Sequence, residues 1–375
     1  MSLKILVVGA GLSGAAVARL LRDRGHRILV VEKESHVGGL CITRISPNGL
    51  QYEPFGARTF HSRKPDVIAF VRRFAEFNGY VHRKGIIIHG KLFPYPISRE
   101  SLSALDSRER ICRELENLPD EVDATNFETA ALSLFGETLY RLFIRNYTTR
   151  MWGVDPVHLS ADMALRRLEL RDGPAGDLFR GEWQGLPSRG YSAFLESMLE
   201  SIPVKLHTPF DTGDSYDVVV SSAPIDEMLA FRFGRLAYRS LRFDYQADAP
   251  WEHDAFGTIN LPQDGTYIRK CNFKILHRRQ SRRNWIQYQE PVAAENGRIP
   301  MYPVATTENE QAYIRCLRAI CATRICPVGR MGFSKYLNMD QAVEVAFRML
   351  PVIEHYPRLS PAVRFEKIAA IRAKY

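Results

Sequence analysis

The sequence predicts an α/β protein in which a Rossmann-like nucleotide-binding domain carries an inserted helical domain and an antiparallel β-sheet domain. Three observations predict this fold. A strand, a glycine-rich turn, a helix and a second strand follow one another within residues 4–32. Residues 101–150 place apolar side chains at helical spacing. Short alternating runs over residues 237–286 are typical of an antiparallel sheet.

The nucleotide-binding element is the most specific of these patterns. An apolar strand at Ile5–Val8 runs into the sequence GAGLSG, whose glycines are Gly9, Gly11 and Gly14. The first glycine turns the chain, the second lets the backbone approach a pyrophosphate, and the third packs helix against strand. The following helix presents its free N–H groups and positive dipole end to the phosphates. Glu32 ends the second strand, where a carboxylate accepts both hydroxyls of an adenosine ribose.

The segment after Glu32 distinguishes between the two cofactors that this acid allows. A carboxylate at this position binds an unphosphorylated ribose, which indicates FAD or NAD and not NADP. Gly38 and Gly39 follow shortly afterwards, and they let the chain pass close to the far side of the pyrophosphate. This extension resembles the FAD-binding fold shared by amine oxidases, protoporphyrinogen oxidases and sugar mutases. FAD is therefore the predicted cofactor.

The remaining elements complete a division of the chain into three parts. The sequence predicts a helix at 65–78, a hairpin at 84–95, strands at 204–207 and 216–221, and helices at 308–322 and 340–350. The predicted nucleotide-binding domain is discontinuous and comprises residues 1–65, 188–235 and 315–375. The helical domain covers residues 66–150, and the sheet domain, expected to bind substrate, covers 151–187 and 236–314.

Composition excludes several classes of protein. The chain has 375 residues with 45% hydrophobic side chains, the balance of a globular protein of two or three domains. Six cysteines are too few for a disulfide scaffold and indicate reduced thiols, so we expect a cytoplasmic protein. Every apolar run is too short for a membrane span, and no signal peptide is recognised. Cys316, Cys321 and Cys326 recur every five residues, which would scatter them around a helix, so no metal site is predicted.

The charge balance leaves the kind of partner open. The excess of 51 basic over 42 acidic residues, a net charge of +9, admits nucleic acid, an anionic surface or a phosphorylated small molecule. The densest basic cluster is the segment RRQSRR at 278–283, which we interpret as a solvated turn between strands. It lacks the interleaved aromatic residues of a nucleic-acid site, so no nucleic-acid partner is predicted.

Six further segments together resemble the UDP-galactopyranose mutase family, in family order and over about residues 3–350. No one of them is decisive alone. The segments are FGARTFH at 55–61, LFPYPI at 92–97, YTTRMWG at 147–153, FGRLAYRSL at 233–241, YPV at 302–304 and GRMG at 329–332 with the sequence up to Tyr336.

The resemblance implies an isomerase that interconverts pyranose and furanose forms of a nucleotide-diphosphate hexose, UDP-galactose or a related sugar, with no net redox change. In such enzymes N5 of the reduced flavin attacks the anomeric carbon and the nucleoside diphosphate leaves. The flavin–sugar adduct then opens and recloses on another hydroxyl. The implied reductant is NAD(P)H or a similar donor, the implied setting is galactofuranose-containing cell wall or polysaccharide biosynthesis, and a homodimer is compatible with the family.

The resemblance also implies site residues. Arginine forks suit the phosphate oxygens of a nucleotide sugar, and Arg166 and Arg269 lie where the family places its two clamps, although Arg167 is adjacent to the first. The implied catalytic set is Arg166, Arg269, Tyr302, Tyr336 and His61. The implied substrate contacts are Tyr147 beneath the nucleobase, Trp152, Phe143 and Asn338. The implied cofactor contacts are Gly9, Gly11, Leu12, Ser13, Gly14, Glu32, Lys33, Gly38, Gly39, Leu40, Arg58, Thr59, Gly329, Arg330 and Met339.

Three departures from the family pattern put the substrate in question. Arg58 stands where the first histidine of a flavin-side pair is usual, while His61 keeps the second. Asn338 replaces an aspartate, and Leu178 replaces a tyrosine on the nucleotide side. These changes suggest an altered nucleotide or sugar. Residues 172–176 have the glycine-rich composition of a mobile lid.

Two other classes of function stay open at this point. A net-redox flavoprotein of the amine-oxidase type would share the amino-terminal motif, and a non-catalytic nucleotide-sugar or flavin binding protein would explain Arg58 and Asn338. Association of the 278–283 cluster with an anionic surface is a weaker third alternative.

Overall fold

The computed structural model describes residues 2–172, 177–210, 216–251, 253–263, 265–295 and 297–375. The strands are β1 (Lys4–Val8), β2 (Arg27–Val31), β3 (Arg44–Ile45), β4 (Gln51–Tyr52), β5 (Phe60–Ser62), β6 (Lys84–Ile88), β7 (Lys91–Tyr95), β8 (Trp183–Gly185), β9 (Val204–Lys205), β10 (Val218–Ser221), β11 (Tyr238–Ala247), β12 (Thr258–Asn260), β13 (Arg269–Asn272), β14 (Trp285–Ala293), β15 (Tyr302–Pro303) and β16 (Ile325–Pro327).

The α-helices follow the same chain order. They are α1 (Leu12–Asp23), α2 (Pro65–Arg72), α3 (Arg108–Glu116), α4 (Phe127–Leu139), α5 (Asn146–Trp152), α6 (Ala161–Leu165), α7 (Gly190–Met198), α8 (Ile225–Met228), α9 (Phe273–Leu276), α10 (Thr307–Cys321), α11 (Gly329–Gly332), α12 (Met339–His355) and α13 (Pro361–Arg372). A π-helical turn at Tyr140–Arg145 joins α4 to α5, and 3₁₀ turns lie at Glu100–Ala104, Pro156–His158 and Tyr356–Arg358.

A five-stranded parallel sheet forms the centre of the nucleotide-binding part. Its order is β16-β10-β1-β2-β9, so the strand that precedes the glycine motif lies in the middle. Parallel strands covered on both faces are mostly apolar, as are the buried residues of β1 and the three valines of β10 that precede Ser221. The Rossmann-like fold predicted from the first 32 residues is confirmed.

A second, seven-stranded sheet has the order β15-β11-β14-β13-β12-β6-β7. The antiparallel sheet predicted over residues 237–286 is confirmed, and the predicted hairpin is β6–β7. This hairpin joins the sheet through a parallel pairing of β6 with β12, although it comes from the range assigned to the helical domain. Pairing between strands so distant in sequence depends on tertiary packing, which no local pattern reports.

The register of the second sheet separates a polar face from an apolar one. Side chains opposite each other in paired strands share a face, and alternate residues face opposite ways. The apolar face of the sheet carries a small cluster around Ile259 and Ile286. The residues that share the polar face include Lys84, Tyr95, Asn260, Arg269 and Gln289.

The helical part packs beside that polar face. Helices α3–α6 form a core with the hairpin side chains Ile86 and Phe93. Phe143, which we expected to contact substrate, is buried in this core with its ring 5.9 Å from that of Phe93 in an edge-on arrangement.

Several local predictions are confirmed with shifted ends. The helix predicted at 340–350 extends to His355 as α12, and the one predicted at 65–78 ends at Arg72. The arginines of the 278–283 segment lie exposed before β14. Cys316, Cys321 and Cys326 are buried thiols, and the described residues contain no group of metal-ligating side chains. Among the described helices, none has the length and apolar character required to cross a bilayer.

Candidate active site

The glycine motif forms a cradle that side chains would fill. Gly9 has a φ of +93°, and a Cβ on Gly14 would lie 1.9 Å from the Gly9 carbonyl oxygen. Gly11 forms a β-bridge with Gly38, and a Cβ on Gly39 would approach the Gly11 Cα to 3.3 Å. Two bare backbone segments, 9–14 and 38–39, therefore meet at the N-terminus of α1, the arrangement that binds a pyrophosphate.

Glu32 is held at the edge of this cradle by backbone donors. Its buried carboxylate accepts the Ala10 N–H at 2.7 Å and the Glu34 N–H at 3.0 Å, one on each oxygen. An ionised carboxylate offers about four acceptor positions. Capacity for two ribose hydroxyls therefore remains, and the residues fit an adenosine-containing cofactor.

The other side of the cradle also fits a bound group. Thr59 is buried, and its Oγ1 has no hydrogen-bond partner among the described residues. Gly329, with a φ of +73°, packs so closely on Ser13 that a Cβ would lie 2.5 Å from the Ser13 Oγ. Arg58 donates to the carbonyl oxygens of Leu40 at 3.0 Å and Phe55 at 2.8 Å. Buried polar groups without partners are uncommon, so the Thr59 hydroxyl fits a position beside a bound polar group.

Two further expected cofactor residues differ in their surroundings. Lys33 is exposed, whereas the sulfur of Met339 lies 3.9 Å from that of Cys41, which directly follows Leu40. Asn338 is the N-cap of α12 and its N–H donates to Gln341 at 2.8 Å. Asparagine and aspartate cap helices about equally well. Asparagine in place of aspartate at position 338 therefore removes a negative charge but still caps the N-terminus of α12.

Aromatic rings and guanidinium groups alternate beside the cradle. The Tyr302 and Tyr336 rings are parallel within 8° with centroids 6.0 Å apart, and Trp152 lies edge-on to Tyr302 at 6.3 Å. Arg330 lies 4.5 Å from the Tyr336 ring, and Arg167 lies 3.9 Å from the same ring and 5.5 Å from Trp152. We call these five residues the stacked cluster. Cation–π contacts fix the orientation of each partner.

The cations of the stacked cluster change the acidity of its phenol. Arg330 is anchored by the carbonyl oxygens of Leu337 at 3.2 Å and Met301 at 3.0 Å. Burial alone would raise the pKa of Tyr336, but Arg330 and Arg167 hold it below its ordinary value. The Tyr336 hydroxyl is therefore a stronger hydrogen-bond donor than an ordinary phenol.

The structure corrects which of two adjacent arginines reaches this cluster. The sequence predicts Arg166, but this residue follows α6, donates to the Tyr375 carbonyl and lies 3.8 Å from Asp162. Arg167 contacts the rings instead. One step along a helical turn rotates a side chain by about 100°, so only one of the pair can face the cluster.

Arg269 lies at the centre of the polar face. Its guanidinium donates to Asn260 Oδ1 at 3.1 Å, to Gln289 Oε1 at 3.3 Å and to the Tyr147 hydroxyl. All three partners are neutral, so the positive charge is oriented but not neutralised. Lys84 lies on the same face, with its ammonium 5.3 Å from the centre of the Tyr95 ring.

His61 belongs to a third group, on β5. Its Nδ1 lies 2.7 Å from Glu182 Oε2, and its ring stacks on Phe179 with centroids 3.5 Å apart. His82 stacks more loosely on Phe179, at 5.8 Å. The hydrogen bond with His61 lowers the pKa of Glu182. Burial, then Lys84, Arg269 and His61, lower the pKa of His82 to about 3, so His82 is neutral at pH 7.

Arg171 holds the backbone of the segment at 177–178, which precedes Phe179. This buried side chain donates to the carbonyl oxygens of Asp177 at 2.7 Å and Leu178 at 3.0 Å, and it pairs with Glu169 at 2.8 Å. Its Nε has no partner among the described residues. The lid predicted from the 172–176 composition lies outside the described residues at positions 173–176.

Sequence reasoning missed several residues that the structure brings to the site. Nothing local marks Lys84, His82 or Glu182, because strand pairing across the chain brings them there. Phe179 directly follows Leu178, and the departure from the family pattern at Leu178 is the feature that the sequence marks in this segment. The residues missed are Lys84, His82, Arg171, Phe179 and Glu182.

Fold and site together define a protein that binds a dinucleotide cofactor on a Rossmann-like domain, with a second sheet whose polar face adjoins the cofactor cradle. Comparison with known families is more specific. A family model described as UDP-galactopyranose mutase matches residues 142–336, and a model described as an NAD(P)-binding Rossmann-like domain matches residues 7–74. The chain belongs to the UDP-galactopyranose mutase family.

Individual relatives agree along nearly the whole chain. A probable UDP-galactopyranose mutase of Klebsiella pneumoniae is 29% identical over 363 residues, covering 92% of this chain and 93% of the relative. A dTDP-fucopyranose mutase of Escherichia coli is 27% identical over 369 residues, covering 92% and 96%. The crystal structure of a reduced UDP-galactopyranose mutase has the same fold, with a TM-score of 0.76 and 17% identity over 97% of this chain and 99% of that one.

Family membership makes the chain an isomerase, a pyranose–furanose mutase that acts on a nucleotide sugar. It also implies a flavin cofactor, which the glycine cradle, Glu32 and Thr59 fit.

Proposed function

We propose that this chain is an FAD-dependent mutase that interconverts the pyranose and furanose forms of UDP-galactose or a related nucleotide-diphosphate hexose. The observation that carries the proposal is the position of Arg269. Its guanidinium is held by three neutral side chains on the polar face, near the stacked cluster. A fixed cation without a carboxylate partner suits a diphosphate.

The diphosphate binds between Arg269 and Arg167. Arg269 comes from the second sheet and Arg167 from the turn after α6, so the two forks approach from different elements. Tyr147, hydrogen-bonded to Arg269, is the platform for the nucleobase, and Trp152 bounds the sugar. A rigid, prearranged set of donors stabilises the charge that develops on the diphosphate as it leaves.

The phenols and the histidine complete the assignment. Tyr302 and Tyr336 donate to phosphate oxygens as their charge rises, and Tyr336 does so more strongly because neighbouring cations lower its pKa. His61, fixed by Glu182 and Phe179, faces the flavin side. Reduced FAD, when bound, supplies the nucleophile for the anomeric carbon. The protein contributes orientation and phosphate electrostatics.

The proposed function also includes a reductant, an oligomeric state, a division into domains and the role of one hairpin. NAD(P)H or a similar donor reduces the flavin, and the enzyme acts as a homodimer. The five-stranded sheet takes its strands from the ranges 1–65, 188–235 and 315–375, which supports that discontinuous domain. The hairpin Lys84–Tyr95 functions with the sheet part and not with the helices around it.

Product analysis of the reduced protein tests the proposal. Protein prereduced with dithionite is incubated with UDP-galactose, UDP-glucose and dTDP-fucose, and furanose products are resolved by chromatography. We expect conversion of at least one sugar by the reduced protein and none by the oxidised protein. Arg269→Ala should abolish conversion with unchanged flavin content, whereas Arg242→Ala, an exposed arginine of β11 paired with Glu290, should leave it intact.

Two results would support the competing classes. Dioxygen consumption with an amine substrate, without furanose formation, would indicate an oxidase. Purified protein that is colourless and does not retain added FAD would exclude a flavin-dependent reaction.

A further inference from the structure

Lys84 is a basic residue of the site that has no anionic partner among the described residues. It begins β6, opposite Tyr95 on β7 and Thr258 on β12. Its contact is the face of the Tyr95 ring, 5.3 Å from the ammonium. Within the described residues its ammonium forms no ion pair and no hydrogen bond. Thr258, its neighbour in the sheet, has an Oγ1 that makes no hydrogen bond within the described part of the chain.

An ammonium in this position is costly. Burial lowers the pKa of Lys84 well below its ordinary value, and the nearby charge of Arg269 lowers it further. Removing a cation from water is repaid only when an anion or several acceptors replace the water. The surrounding hydroxyls of Tyr95 and Thr258 are too few and neutral to stabilise the ammonium, so its charged form is stabilised when an anionic ligand binds.

The position of Lys84 identifies the part of the ligand that it meets. Lys84 shares the polar face with Arg269. His82, two residues before Lys84 on the same chain segment, stacks on the Phe179 ring that also stacks on His61. Lys84 therefore lies between the proposed diphosphate site around Arg269 and the group around His61. In a nucleotide sugar bound for attack at its anomeric carbon, the sugar occupies this interval.

We propose that Lys84 binds an anionic substituent of the sugar, so that the substrate is a nucleotide-linked hexuronic acid. The carboxylate at C6 would pair with the ammonium and accept from the Tyr95 and Thr258 hydroxyls. This carboxylate does not take part in ring opening or closure, so the isomerisation is unchanged. The inference rests on the proposed function and specifies its substrate class.

Binding to the oxidised holoenzyme tests this inference without turnover. Affinities for UDP, UDP-galactose and UDP-galacturonic acid are measured by titration calorimetry. A hydrogen-bonded charge pair contributes about tenfold or more in affinity. We expect UDP-galacturonic acid to bind at least about tenfold more tightly than UDP-galactose.

Two lysine variants separate a specific role from a general one. In Lys84→Met the preference for the acidic sugar should disappear, with the affinity for UDP changed by less than about twofold. Lys91→Met, an exposed lysine of the same hairpin that lies 3.4 Å from Asp106, should keep the preference. Flavin content and melting temperature establish that both variants are folded. Lys84→Met should melt at or above the wild-type temperature without ligand, because an unpaired buried charge is removed.

The contradicting results are distinct. Equal affinity of the wild type for both sugars would overturn the inference, and so would an equal loss of UDP affinity in Lys84→Met, which would assign the lysine to the diphosphate. In either case UDP binding keeps the proposed function. Failure of the wild type to bind UDP or either sugar would reject the proposed function, and the inference with it.

Discussion

Arg166 and Arg167 have the same chemistry and adjacent positions, yet the structure gives them unrelated surroundings. Arg167 lies over two aromatic rings, whereas Arg166 contacts a backbone carbonyl on the outside of the helical turn. A sequence motif places a charge to within one residue, but one residue changes the direction of a helical side chain by about 100°. Which of the two side chains faces the stacked cluster could therefore be determined only from the structure.

The two arginines form a matched pair for a test. Arg167→Ala should lower kcat/KM for the nucleotide sugar by about 100-fold, because a charge-assisted contact to phosphate is lost. Arg166→Ala should change kcat/KM by less than about twofold, since it removes only a surface contact. Steady-state kinetics of the prereduced protein measure both. A large effect of Arg166→Ala with none of Arg167→Ala would reverse the assignment.

The candidate site was partly predictable at the level of residues. The family-like segments contain Tyr147, Trp152, Tyr302 and Tyr336, and the resemblance also implies Arg269; the structure brings all five near one another. Lys84 and His82 were not predictable, because each reaches the site through strand pairing or stacking with residues far away in sequence. Their local sequence resembles an ordinary edge hairpin.

Among the elements, the β1–α1 crossover was predicted most completely. Each glycine has a local physical reason, and the structure supplies the distance: a Cβ on Gly14 would overlap the Gly9 carbonyl oxygen. The seven-stranded sheet was predicted only as a set of alternating runs. Its order and the parallel β6–β12 pair were not, since a period of two is the same in either orientation.

Alanine substitutions at the two ends of α1 test the cradle. Gly14→Ala should prevent flavin retention, because relieving the overlap requires the turn or the helix to move, at about 1–3 kcal/mol. Gly25→Ala, just after the same helix, has a φ of +84° but open space around its Cβ. It should cost about 1 kcal/mol of stability and leave the flavin bound. The ratio of flavin to protein absorbance measures the outcome, and full flavin content in Gly14→Ala would contradict the cradle.

At the scale of the whole molecule, buried and half-buried carboxylates connect separate elements. Glu182 beside β8 contacts His61 on β5, and Glu344 of α12 contacts Lys64 and Arg348. The hydrogen bond with His61 lowers the pKa of Glu182. Burial alone would raise the pKa of Glu344, but the hydrogen bonds with Lys64 and Arg348 lower it by more, so the net shift is downward. Burial raises the pKa of Asp340, so this residue has the opposite effect on the pH dependence of stability.

These shifts determine a pH dependence of folding. A carboxyl whose pKa is lower in the folded state stabilises the fold above its unfolded pKa, here about 4.5, and this contribution is lost as the pH falls through the folded value. The free energy of unfolding, measured by urea titration, should therefore decrease as the pH is lowered below about 5. Glu182→Gln should make this fall shallower, whereas Glu121→Gln, an exposed control, should not. An unchanged pH profile for Glu182→Gln would refute the contribution of this pair.

The arrangement of the whole molecule puts a cofactor cradle on one sheet beside a cationic, aromatic-lined face on another. The most direct test of that arrangement is a crystal structure of the protein with FAD and UDP bound. The account predicts diphosphate oxygens within hydrogen-bonding distance of Arg269 and Arg167, and uracil stacked on Tyr147. UDP bound away from the polar face, with Arg269 still engaged only by Asn260, Gln289 and Tyr147, would contradict it.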